Sequence, residues 1–494
     1  MIGRGLCKTP RGKLVAVTVR IEGDGTGPDR IVEARLDGDF LIDLTGADRV
    51  VETNGIVGTD SETKADSVTG TDMDLIADLG HAIVGDTDAD GTGPGRPVPV
   101  DSDRLRADLL AAVGRHPHAE LVGVTVGAIV DAVNRAVTDV RIQSRAESDP
   151  RASYVADAPS ASFDQPDQSS SDQSDQPDRS DQINQSDRPD PIGQTVSVEP
   201  HDLPNDLPDD LSDDPSDDLA DPRWRSLHPQ IMIDTEPYAP AMQMALDQAI
   251  AEAVAAGLMP PTLRLWRWGG PAVVIGAYQS VSNEVDERAA SEAGFAVVRR
   301  VTGGGAMFVR PADTITYSLY APAGFVDGLD AAASYRLCDA WAFAALRSLG
   351  IPAVAQPLND IAMPDGGKIG GAAQRRFPAP RGREQDRQAP GCVLHHVTMA
   401  YDIDAEGMVR ILRISKEKLV DKAVTSAKKR VEPLRMNTSL SRDEVVEAMR
   451  RYALANIEGA RAAVTDDLPE SVIVRARTLA SERFSNSEWT HRIG

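Results

Sequence analysis

Apolar and polar positions alternate in an ordered way over two stretches of the chain and lose all order between them. In the first stretch, Lys13–Glu22 has the period of a half-buried strand. After the turn GDGTGPDR, the run IVEARLDGDFLID repeats that period, which predicts a hairpin. Met73–Val84 and Val126–Val137 carry helical spacing, the second with Val126, Ile129, Val130 and Val133 on one stripe and Val137 a turn later. The glycines of GDGTGP and GTGPGRP fit neither a dinucleotide fingerprint nor a Walker loop and read as turns.

The second stretch begins near residue 223. Met242, Ala245, Leu246, Ala249, Ile250, Ala253 and Val254 form one helical stripe, closed by Gly257 at the position after the C-cap. TLRLWRW, PAVVIGAYQ, GFAVVRR, AMFV and TITYSLYAP read as strands, and SYRLCDAWAFAALRSLG as a helix ending at Gly350. IAMPDGGKIGGAAQRR predicts two short strands about a PDGG turn, and CVLHHVTMAYDID a further strand. Ser441 and Glu444 open a helix with a capping box. Turn-linked strands with helices grouped between them predict an α+β protein built on a mixed β-sheet.

Residues 148–222 separate the two regions. DQPDQSSSDQSDQPDRSDQ and the following LPNDLPDDLSDDPSDDLADP are low in complexity, rich in prolines and without periodicity, and predict a disordered acidic linker. Three domains are therefore expected: 1–147, the linker 148–222, and a larger unit 223–494.

Charge follows the same division. The formal net charge of −24 is made of −9 over 1–147, −17 over 148–222 and +2 over 223–494. No broad basic face is implied, which argues against a nucleic-acid partner. No apolar run reaches the roughly 18 residues of a membrane span, and MIGRGLCKTPRGK lacks the apolar core of a secretory signal. Three cysteines, Cys7, Cys338 and Cys392, are too few for a disulfide framework or a cysteine-clustered metal site. The expectation is a cytoplasmic protein with no membrane partner and no resident metal. Basic residues are 43 Arg and only 9 Lys.

Two glycine-rich segments carry the candidate chemistry. In Arg299–Phe308 (RRVTGGGAMF), Gly303, Gly304 and Gly305 let backbone approach a ligand, their N–H groups can form an anion-binding concavity, and Arg300 adds charge. Taken alone, such a triplet reads more readily as a flexible turn, with Arg299 and Arg300 on a solvated edge. Downstream, Gly366–Arg376 (GGKIGGAAQRR) places Lys368, one of the nine lysines, among glycines and alanines. A compact ammonium there suits bridging a carboxylate and a phosphate oxygen as they react; the alternative is an exposed hairpin lysine. Asn359 and Asp360 can aim an amide and a carboxylate into the same space, to orient Lys368 or hold a metal–nucleotide complex, or can start a turn.

Together these segments resemble the lipoate–protein ligase family of the biotin/lipoate ligase superfamily, over most of residues 228–455. RRVTGGGAMFV is similar to its RRxTGGGAVFH signature, NDI…GGKIGGAAQRR to its ND…GRKISGSAQRR, and VTSAKKRVEPL to its ITSxxxRVxNL. Val309 and Val397 stand where the family motifs have His and Gly. KTPRGKLVAVTV, IVEARLDGDFLID and LVGVTVGAIVDAV resemble the family's small accessory domain, here placed first, so that the linker must let it fold back and dock.

The resemblance implies ATP-dependent activation of lipoate to lipoyl-AMP, with Mg2+ accompanying ATP, and transfer to a lysine of an acceptor lipoyl domain (E2 or glycine-cleavage H-type). It implies that Lys368 is catalytic and that Arg300 with Gly303, Gly304, Gly305, Ala306, Met307 and Phe308 holds the adenylate. Asn359 and Asp360 would serve the nucleotide, and the lipoyl chain would lie along Val274, Ile275 and Gly276. The alternatives are an ATP-independent octanoyl or lipoyl transferase working through a cysteine thioester, for which Cys338 and Cys392 are poorly placed, and a non-catalytic lipoate-binding module.

Overall fold

The computed structural model describes residues 1–9, 12–23, 29–44, 70–85, 95–148, 219–356, 358–380, 389–413 and 431–493. The linker expected over 148–222 therefore lies almost wholly outside the described residues, as does all of VTSAKKR. Met1–Arg145 and Asp214–Gly494 belong to one compact unit.

The core of the C-terminal region is an eight-stranded mixed sheet in the order Val354–Gln356, Asp360–Ala362, Lys368–Phe377, Cys392–Ala400, Thr314–Ala321, Thr262–Leu265, Gln230–Ile233 and Arg461–Val464. The first six are antiparallel to their neighbours and the last two pairings are parallel. Because side chains alternate across a strand, the sheet feeds two cores. Tyr317, Leu319, Val393 and Val397 pack under the helices Ala331–Ser348 and Arg442–Asn456. Tyr320, Leu394 and Phe377 pack under Pro240–Ala255 and Glu470–Leu479. Val397 is 1% exposed and Val309 fully buried, so both departures from the family motifs fall in packed core. The capping box of Ser441 and Glu444 is present, and Gly257 and Gly350 end their helices at φ +70° and +78°. The second strand around the PDGG turn runs to ten residues, longer than the sequence suggested.

A separate three-stranded sheet, Ala296–Arg299, Ala272–Ile275 and Met307–Val309, flanks the triple-glycine turn. The N-terminal region has a four-stranded antiparallel sheet, Ile2–Lys8, Leu14–Glu22, Arg30–Gly38 and Arg96–Pro97, with helices Gly70–Val84 and Val126–Ser148. Its first strand escapes the apolar pattern because two of its three inward positions, Gly3 and Gly5, are glycine, with Cys7 the third. A Cβ at Gly3 or Gly5 would stand 2.2 and 1.9 Å from the carbonyl oxygens of Ala136 and Ala132. Helix Ser102–Gly114, capped by Asp101, buries only Leu105, Leu109 and Ala112, too thin a stripe for the periodicity to reveal.

The run expected as one strand over IVEARLDGDFLID breaks at Asp39–Phe40. Its second half, Leu41–Leu44, pairs with Ala119–Val122. That break brings the N-terminal region onto the C-terminal one. Phe40 stacks on Tyr278 with centroids 5.2 Å apart, Gly38 N–H donates to the Tyr278 carbonyl (3.0 Å), and Arg376 Nε pairs with Asp43 Oδ1 at 2.9 Å. Leu41 and Val122 join the core under Ala331–Ser348, whereas Tyr278 joins the N-terminal core.

Candidate active site

The main sheet's strand Lys368–Phe377, the triple-glycine turn and the docked N-terminal region enclose a cavity of about 710 Å³. Lys368, Asn359 and Asp360 line it, as do Arg300, Gly304 and Gly305, followed by Ala306, Met307 and Phe308. Gly276 and Gly303 do not. Gly276 lies beneath the turn, where a Cβ would come within 2.0 Å of the Gly304 carbonyl oxygen, and a Cβ on Gly303 would meet the Phe40 carbonyl at 2.6 Å. Both glycines therefore serve close packing. Val274 and Ile275 are fully buried and likewise absent from the lining.

Lys368 opens its strand, and its Nζ donates to Asp360 Oδ1 at 2.7 Å on the neighbouring strand. Gly371, directly opposite Asp360, leaves the room this needs: a Cβ there would be 3.1 Å from the Lys368 Nζ. The lysine side chain keeps 35% of its surface exposed, so its ammonium is both oriented by a carboxylate and open to a ligand.

Arg300 is buried and braces the glycine turn. Its guanidinium donates to the carbonyls of Val274 (3.1 Å), Gly303 (2.5 Å) and Gly305 (2.9 Å) and to Thr302 Oγ1 (3.0 Å). Burial pushes its pKa down to about 10, which leaves it cationic at neutral pH. Most of its donors are thus engaged by the turn itself, and what it offers the cavity is mainly charge. Gly304, at φ +90°, donates its N–H to the Phe40 carbonyl at 3.2 Å, so the N-terminal region also fixes the turn.

Behind the turn lies a relay that the sequence did not reveal. Asp247, on Pro240–Ala255, accepts hydrogen bonds from Ser318 Oγ and Tyr320 OH, both 2.6 Å, and pairs with His396 Nδ1 at 2.7 Å. His396 Nε2 meets Thr302 Oγ1 at 2.7 Å, and Thr302 in turn accepts from Arg300. The donors and acceptors are satisfied together when His396 is neutral with its proton on Nδ1. One acid within the otherwise small and apolar helix stripe, Asp247, was the available sequence signal. His395 points to the other face, where it pairs with Asp339 at 2.5 Å; His396 alone of the two lines the cavity.

Burial lowers the His396 pKa against the opposing pull of Asp247. A folded value below the unfolded one means that stability present above about pH 6.5 is lost as pH falls toward the folded value. Melting temperatures of the parent are therefore expected to fall between pH 7.5 and 5.5 more steeply than those of His396→Gln; equal slopes would exclude this coupling.

Among the described residues no three His, Cys, Asp or Glu side chains converge as a metal site, and no helix is long and apolar enough to cross a membrane. All three cysteines are buried and none lines the cavity.

The fold is a mixed-sheet α+β architecture in which a glycine turn and a lysine–aspartate pair line one cavity, and comparisons with known proteins say what it resembles. The model of the lipoyl protein ligase A/B catalytic domain matches residues 239–453. Octanoyltransferase LipM of Moorella thermoacetica is 32% identical over 206 residues, 38% of this chain and 70% of that protein. LipM of Symbiobacterium thermophilum is 31% identical over 209 residues, 37% and 69% of the two chains. Lipoate-protein ligase A subunit 1 of Thermoplasma acidophilum is 28% identical over 254 residues, 50% and 90% of the two chains. A solved bipartite lipoate protein ligase with its E2 lipoyl domain, from the same organism, matches with TM-score 0.44 and 28% identity over 53% of this chain and 95% of that one. The chain belongs to the lipoyl protein ligase A/B family, whose members act in lipoylation.

Proposed function

We propose that the protein is an ATP-dependent lipoate–protein ligase with a fused accessory region. The carrying observation is the Lys368–Asp360 pair facing the triple-glycine turn across a cavity that no cysteine lines.

In the first half-reaction a lipoate carboxylate oxygen attacks the α-phosphorus of ATP. A P–O bond forms, the α–β bridge breaks, and pyrophosphate leaves. In the second, the ε-amine of an acceptor-domain lysine attacks the acyl carbonyl, the amine proton is lost, and AMP departs. Both steps build negative charge on carbonyl or α-phosphoryl oxygens. Lys368, held by Asp360, offers a preorganised donor to that charge. The N–H groups of the Gly305–Phe308 backbone would receive the adenylate, with the Arg300 charge beneath them. Any magnesium accompanying ATP would rest chiefly on the nucleotide's own phosphates.

The second reading is octanoyl transfer, the activity in the names of the Moorella and Symbiobacterium relatives. In transferases of this fold it runs through a cysteine thioester, and such a step needs an accessible thiolate. Here burial drives the Cys338 and Cys392 thiols well above their ordinary range and also raises Cys7, which favours the ligase.

The deciding measurement is lipoate-dependent ATP–pyrophosphate exchange. The full chain is expected to perform it. Absence of exchange, with octanoyl transfer from a carrier thioester, would select the transferase.

A further inference from the structure

The structure describes three of the chain's nine lysines, Lys8, Lys13 and Lys368, and all three line the same cavity. Arginine, used 43 times, covers the outer surface, as at Arg288 and Arg451 with 88% and 71% of their side chains exposed. Among the described residues, the outer surface takes its cations from arginine and the compact ammonium groups are gathered here. Lys368 belongs to the site already described. The other two come from the N-terminal region.

Lys13 is positioned by its surroundings. Its backbone N–H donates to the Gly123 carbonyl at 2.6 Å, and a Cβ on Gly123 would stand 2.5 Å from the Lys13 Cγ. The aliphatic stem thus runs over a glycine. Its Nζ reaches Asn359 Oδ1 at 2.5 Å, one residue from the aspartate that holds Lys368. Asn359 is itself 7% exposed and fixed, since its side-chain amide and its carbonyl both bond to Ala372. Two ammonium groups from different regions of the chain are therefore held by consecutive residues on one wall. Lys8, at the end of the neighbouring strand and opposite Leu14 in register, adds a third charge to the same space.

We propose that Lys13, assisted by Lys8, contacts the β- and γ-phosphoryl oxygens of the nucleotide, so that the N-terminal region completes the polyphosphate end of the pocket. The inference rests on the ligase reading of the cavity and adds a substrate-contacting role for a region outside the catalytic fold. Lys368 serves the oxygens present in both half-reactions. An ammonium on the leaving pyrophosphate acts only in the first, because the α–β bridge oxygen gains charge as its bond to the α-phosphorus breaks. Lipoyl transfer from a finished adenylate has no such group to stabilise.

The test uses the full-length chain with Lys13→Met, which keeps the stem and removes the charge. The Michaelis constants for MgATP and for pyrophosphate in exchange are expected to rise about tenfold or more. The constant for lipoate, and single-turnover transfer from supplied lipoyl-AMP, are expected to stay within about twofold. Lys8→Met should shift the same constants less, and Lys13→Arg should restore part of the loss. Asp43→Asn, which breaks the ion pair with Arg376 outside the cavity, reports loosened docking alone and should not raise the pyrophosphate constant selectively. The proposal is overturned if the ATP and lipoate constants move together, if neither moves, or if transfer from lipoyl-AMP falls equally.

Calorimetry of magnesium pyrophosphate binding separates this idea from the ligase reading. If the parent lacks exchange yet binds pyrophosphate more tightly than Lys13→Met, the phosphate seat stands and the ligase reading falls. If the parent performs exchange and the variant binds equally well, the ligase reading stands and the seat falls. A parent that binds no pyrophosphate removes the seat. Should Lys13→Met fail to fold by circular dichroism, Lys13→Gln carries the same comparisons.

Discussion

Replacing Lys368 by alanine is expected to abolish lipoate-dependent pyrophosphate exchange while the protein remains folded. The side chain is about one-third exposed and its described bond is to Asp360, so the core does not depend on it. Removing one preorganised donor from a developing oxyanion costs about 10²–10³ in rate, or roughly 3–4 kcal/mol. Here the loss should exceed that, because the variant also removes the ammonium that stands between the Asp360 carboxylate and the carboxylate that must attack. Exchange and transfer from lipoyl-AMP should both fall, since the same ammonium serves both steps. Cys392→Ala, in the fully buried strand end, should barely alter either rate. Activity surviving in Lys368→Ala and vanishing in Cys392→Ala would reverse the assignment.

Deleting residues 1–147 is expected to cripple adenylation far more than transfer from supplied lipoyl-AMP. The truncated chain loses Phe40 from the face of Tyr278, Leu41 and Val122 from the main core, and the carbonyl that fixes Gly304. Each such buried side chain is worth about 1.5–3 kcal/mol, so a lower melting temperature should accompany the loss. The triple-glycine turn would lose the Phe40 carbonyl that holds Gly304 and keep the bracing by Arg300. Supplying residues 1–147 as a separate polypeptide should restore part of the exchange. Equal loss of both half-reactions, not restored in this way, would mean that the N-terminal region serves only to keep the protein folded.

Much of the cavity could be read from local chemistry. Consecutive glycines and a scarce lysine each have a commoner use in turns and pointed to a site only in combination and through the family resemblance; Arg300, Gly304, Gly305 and Lys368 all line the cavity. The resemblance puts Gly276 along the lipoyl chain, but its role is to admit the Gly304 carbonyl, a contact visible only when two turns pack together. Asp247, Thr302 and His396 could not be joined from sequence, since 149 residues separate the first from the last and each alone looks like a core polar residue. The same holds for Lys13 and Asn359, whose pairing depends on the N-terminal region turning back through Asp39 and Phe40. Periodicity found strands with apolar inward faces and missed Ile2–Lys8, where glycine supplies two of the three inward positions.

The Phe40 carbonyl and the Gly304 amide belong to one polypeptide, with residues 149–218 between their two regions. Their encounter is therefore a first-order event whose local concentration is set by chain length and not by how many molecules share the solution. Specific activity should hold constant as the protein is diluted, and a competitor peptide copying residues 36–44 should be a poor inhibitor at any practical dose.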